Sequence, residues 1–86
     1  MDFPLSLDDF LPLRENSITK NCKYKDKNLS VKVTHRINTF PVTVEEYIVY
    51  IHPDDEKIKP VLVGGNSDLY TVWTSALLIL EQRLKT

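Results

Sequence analysis

An α+β fold is expected for this chain: an antiparallel four-stranded meander packed by one C-terminal helix, with a short N-terminal helical turn. Three observations predict it. Apolar and polar residues alternate with a period of two through much of residues 18–63, the signature of half-buried strands. From Leu69 the apolar positions instead recur with helical spacing. The segments between the strand-like runs are short and turn-rich, which suits antiparallel neighbours and leaves no room for parallel crossovers. The 86 residues, 42% hydrophobic and 27% charged, make one small domain over residues 1–86 with enough apolar material for a core. A single cysteine excludes an internal disulfide, so packing has to hold the fold.

Ser6-Leu7-Asp8-Asp9-Phe10-Leu11 reads as a serine cap followed by acids in a first turn, which Pro12 limits to about one turn. In the next segment Ile18, Lys20, Cys22 and Tyr24 share one face of a strand, and its lysines mark it as an edge. Asp26-Lys27-Asn28 supplies turn residues. Leu29, Val31, Val33, His35 and Ile37 then alternate with polar residues on a second strand.

Phe40-Pro41 breaks the ladder because proline has no amide donor, and the chain restarts at Val42 or Val44. Tyr47-Ile48-Val49-Tyr50-Ile51 is apolar on both faces, which predicts a central strand covered on both sides. The N-terminal segment, through Phe3, Leu5, Phe10 and Leu11, is expected to cover part of the second face. His52-Pro53-Asp54-Asp55-Glu56-Lys57 is a polar turn, and Pro60-Val61-Leu62-Val63 a short fourth strand closed by Gly64-Gly65. Ser67 or Asn66 is placed to cap the helix. On it Leu69, Trp73, Ala76, Leu77, Leu80 and Leu84 form one stripe, widened by Val72, Ile79 and Tyr70, while Leu78 points the opposite way.

The tail Gly65-Asn66-Ser67-Asp68-Leu69, leading into Ser75-Ala76-Leu77-Leu78-Ile79-Leu80, resembles the end of a group of small uncharacterised bacterial proteins in which a strand meander precedes an Ala/Leu-rich terminal helix. The resemblance implies the fold and brings no activity with it.

Charge is arranged in blocks beneath a net charge of −1. Residues 1–13 hold three acids and no base, residues 14–36 seven bases and two acids, residues 37–56 five acids and no base, and residues 57–86 four bases and two acids. Strand pairing should cancel part of this. A near-neutral balance argues against a phosphate-binding face, although Lys23, Lys25, Lys27, Lys32 and Arg36 near Tyr24 suit a nucleic-acid-binding module as an alternative.

Catalytic and metal constellations are thin. Cys22, His35 and His52 lack the short spacing of structural zinc sites, and nothing near Cys22 is expected to activate its thiol. Adjacent carboxylates such as Asp8-Asp9, Glu45-Glu46 and Asp54-Asp55 diverge on a strand or lie solvated in a turn. Gly64-Gly65 lacks the lysine of a phosphate loop. No enzyme, metal or cofactor is expected.

A non-enzymatic protein-binding module fits better, by analogy of size with bacterial or phage inhibitors and immunity proteins that occlude a partner. Its surface would draw on Lys23, Lys25, Arg36, Glu45, Tyr50, Asp54, Asp55 and Leu78, with opposed charges orienting the partner. A self-associating subunit, as a homodimer, is a third possibility. The acidic start and the lack of a long apolar run point to the cytoplasm rather than to secretion or a membrane.

Overall fold

A computed structural model describes residues 3–13 and 16–85, with Asn66 described by its backbone alone. Four strands, β1 (Ser17–Tyr24), β2 (Lys27–Asn38), β3 (Val44–Pro53) and β4 (Val61–Asn66), form one antiparallel sheet in the order β1-β2-β3-β4, followed by the helix α1 (Leu69–Leu84). A 3-10 turn, Leu7–Phe10, precedes them. This is the predicted α+β meander.

The period-two pattern sets the two faces of the sheet. Leu29, Val31 and Val33 of β2 lie beside Pro53, Ile51 and Val49 of β3, and all are buried. Across this face α1 lays Val72, Trp73, Ala76 and Leu80, all buried, over β3 and β4. Burying each such aliphatic side chain is worth about 1.5–3 kcal/mol before entropy is counted. Trp73 is core, as its place on the stripe predicts; Tyr70, at the flank of the stripe, is exposed instead.

Several local expectations give way to geometry. The first hairpin turns at Lys25-Asp26, with φ of 51° and 65°, so Lys27 already pairs with Tyr24 instead of standing in the turn. Two left-handed residues match the twist of the flanking strands, as a type I′ hairpin requires. The strand β4 runs through Gly64 and Gly65 instead of closing there. Asp68, rather than Ser67 or Asn66, caps α1: its carboxylate accepts from the Tyr70 N–H at 3.2 Å and the Thr71 hydroxyl at 2.7 Å. Arg83, in the last turn, donates to the carbonyl of Pro60 and ties the helix end to the start of β4.

The N-terminal segment packs on the helix side, not on the second face. Phe3 meets Tyr24 and Trp73 edge-on at 5.2 and 5.9 Å, and Phe10 lies 5.4 Å from Trp73. Because α1 packs over β3 and β4, an apolar gap remains over β1 and β2, and Phe3, Phe10 and Leu13 fill it. One layer therefore covers the inner face, and among the described residues nothing covers the other.

Candidate partner-binding surface

Two features stand out on the uncovered side. The first is an arm. The β1–β2 ladder ends at Ser17 and Thr34, and the β3–β4 ladder at Tyr47 and Asn66. Beyond those pairs, β2 and β3 continue together through Arg36–Glu46, Ile37–Glu45 and Asn38–Val44. The hairpin thus projects as a two-stranded ribbon, and the molecule is 43 Å long against 22 and 21 Å across.

The base of the arm is braced on both faces. On the inner face the His35 ring stacks on Tyr47 at 4.5 Å and 12°, and His35 Nε2 lies 2.9 Å from Glu45 Oε1. On the outer face Arg36 pairs with Glu46. The tip, residues 39–43, carries no charge. Phe40 is 89% exposed, Val42 66% and Val44 51%. A turn ordinarily carries polar residues, so three adjacent open apolar side chains have no role in the core.

The second feature is the open sheet face, which continues from the outer side of the arm. Register places Thr19, Lys32, Tyr50 and Leu62 in one row across all four strands. Ile48 lies in the next row with Thr34, Arg36 and Glu46 beyond it, and Lys23 lies toward the opposite end. Leu62 is 67% exposed, and neither Ile48 nor Tyr50 joins the core. Gly64 keeps this patch flat: a Cβ there would stand 3.1 Å from Ile48 Cγ1.

No family model, no curated protein and no solved structure matches this chain.

The residues singled out from sequence fall into separate places. Lys23, Arg36 and Tyr50 share the open face, whereas Glu45 is on the inner side of the arm. Lys25 is held by Glu81 of α1 and lies 5.4 Å from the Tyr24 ring centre. Asp54 and Asp55 occupy the β3–β4 connection, where Asp55 accepts from Lys27 at 2.9 Å. Leu78 is exposed on α1. Phe40 and Val42 are the most open apolar pair of the arm; from sequence Phe40-Pro41 reads as a ladder break and Val42 as one place where the strand restarts. Their signal was available as apolar side chains inside a turn.

Charge cancellation across the sheet is extensive. Lys25–Glu81, Lys27–Asp55 and Arg36–Glu46 neutralise three cations of the basic block. The Glu81 carboxyl is held below the usual carboxylate range, first by the Lys25 hydrogen bond and then by that from the Tyr24 hydroxyl. Asp55 is lowered in the same way, first by Lys27 and then by the Lys57 N–H. Lys23 and Lys32 make no ion pair among the described residues.

The chemistry-bearing side chains are kept apart. Register puts Cys22 beside Leu29 on the inner face and His52 beside Ser30 on the open face. His35 stands six residues along β2 from Leu29, about 20 Å at strand spacing. Burial pushes the Cys22 thiol up, which disfavours the thiolate a nucleophile needs. A groove of about 400 Å³ between the N-terminal segment and α1 mixes apolar walls from Phe3, Leu5, Trp73 and Leu77 with the polar groups of Ser6, Asp8 and Tyr70.

Proposed function

We propose that this chain is a non-enzymatic protein-binding module of the inhibitor or immunity type, which occludes a partner protein with the β2–β3 arm and the adjoining open sheet face. The observation that carries this is the tip of the arm, where Phe40, Val42 and Val44 stand exposed on a ribbon braced by His35–Tyr47 and Arg36–Glu46. A protruding apolar tip on a preorganised support enters a partner cleft with little ordering cost, and an aromatic anchor at the centre of an interface supplies much of its energy. The separation of Cys22, His35 and His52 supports binding over catalysis. We place the protein in the cytoplasm, where the free thiol of Cys22 stays reduced.

The test is capture from lysate of the native cell, comparing the wild-type chain with a Phe40→Ser, Val42→Ser double variant by quantitative mass spectrometry. One protein should be enriched on the wild type and lost from the variant, with the unfolding curve of the variant unchanged. Equal recovery on both, or recovery abolished by nuclease, would overturn the proposal.

A further inference from the structure

We infer that the partner meets the open sheet face with an acidic, apolar-centred segment, its carboxylates facing Lys23 and Lys32 and its apolar side chains covering Ile48, Tyr50 and Leu62. This rests on the proposed protein-binding role and names the chemistry of the partner. The strand positions of this face carry Lys23, Lys32 and Arg36 against one carboxylate, Glu46, on a chain whose net charge is −1. The open face is therefore positive while the rest of the molecule is negative. Arg36 and Glu46 satisfy each other, which leaves Lys23 and Lys32 as the cations of this face without an ion pair among the described residues.

Lys32 borders an apolar patch, and Lys23 lies four residues further along the sheet, beside Asn28. Lys32 sits directly across from Tyr50, and Leu62 lies on the other side of that ring. Ile48 follows two residues along β3, about 6.6 Å away at strand spacing. An apolar centre with a charged rim on one side is the layout of a protein interface. An acidic partner would gain both steering and pairing from that rim.

The other occupants fit less well. A phosphate backbone needs several cations to hold it, and on this face, among the described residues, only Lys23 and Lys32 are without internal carboxylates. The flanking side chains Ile48 and Leu62 are aliphatic, so Tyr50 is the one stacking ring with His52 beside it at 6.0 Å. A second copy laid face to face would set one net positive face against another.

The probe is a displayed library of random 16-residue peptides, selected on the immobilised full chain at low salt. The strongest peptide is then titrated by fluorescence anisotropy against wild type, Lys23→Glu/Lys32→Glu, Tyr50→Ala and Phe40→Ser/Val42→Ser. A 12-nucleotide oligothymidylate and a 12-nucleotide oligouridylate are titrated in parallel. Selected peptides should be rich in Asp and Glu with apolar residues between them, and the charge reversal should weaken them by about tenfold or more. The same peptide should weaken with added salt and with Tyr50→Ala. Peptides without acidic bias, or indifferent to the charge reversal, overturn the inference; if they still depend on Phe40 and Val42, the protein-binding role survives it. Failure to select any peptide that depends on either surface overturns both. Oligonucleotide binding abolished by the charge reversal assigns the face to nucleic acid and overturns the inference, as does a dimer in sedimentation that Tyr50→Ala dissolves.

Discussion

Single contacts decide how this small fold responds to acid. Glu81 and Asp55 are more acidic in the folded chain than in the unfolded one, through Lys25 with Tyr24 and through Lys27 with the Lys57 N–H. Their contribution is fully present above the ordinary carboxylate pKa of about 4 and is lost as pH falls through their lowered folded values. Lys25 has the opposite sense, since its partner Glu81 raises it. Its contribution is complete below the ordinary lysine value of about 10.4 and is lost as pH rises through the raised one. We predict that Glu81→Gln loses less stability than wild type between pH 7 and pH 3 in urea unfolding; identical losses would remove Glu81 from the acid response. At Gly65, φ is +79°, a region that L side chains enter at a cost of about 1–2 kcal/mol. Gly65→Ala should destabilise by about that amount, and Gly65→Asn by less, by the same measurement.

Among elements, α1 and the N-terminal segment share the work of closing the inner face. Asp68 caps α1 through two hydrogen bonds, and Asp68→Ala should cost about 1 kcal/mol in thermal or urea unfolding. Phe10 is fully buried against Trp73 although it belongs to a four-residue 3-10 turn. Phe10→Ala should therefore cost about 3–5 kcal/mol, a core-sized loss. Loss below about 0.5 kcal/mol would mean that the segment does not close the core. Val49 and Ile51 lie in this core, whereas Ile48 and Tyr50 stay outside it, so the two faces of β3 have different duties. The two-sided apolar run of β3 is legible in the sequence as needing a cover, but the sequence does not say that the described residues leave its second face open.

Across the whole molecule, apolar side chains outside the core include a strip along the outer side, with Phe40, Val42 and Val44 of the arm separated by the Arg36–Glu46 pair from Ile48, Tyr50 and Leu62 of the open face, besides Leu11, Tyr70 and Leu78 elsewhere on the surface. The strip does not hold the fold together. Phe40→Ser/Val42→Ser should change unfolding free energy by no more than about 0.5 kcal/mol, as surface changes generally do, while removing partner capture. A large stability loss in that variant would return the arm to a purely structural role. The elongation of the molecule follows from unequal strand lengths: β2 has 12 residues and β3 has 10, but their outer neighbours β1 and β4 have 8 and 6. The unmatched ends of the central pair have no flanking strand among the described residues, and they become the arm.

The sequence by itself determined the strand order, the helix and its buried stripe, and the inward face of β2. Each depends on periodicity or on short connections, which act locally along the chain. Only the tertiary structure decided which side the N-terminal segment covers, which lysines keep their charge free and that Phe40 and Val42 stand at the end of an arm. Those outcomes depend on which residues become neighbours after strands of unequal length pair and the helix settles over β3 and β4. Contacts such as Lys25–Glu81, 56 residues apart along the chain, have no local signature.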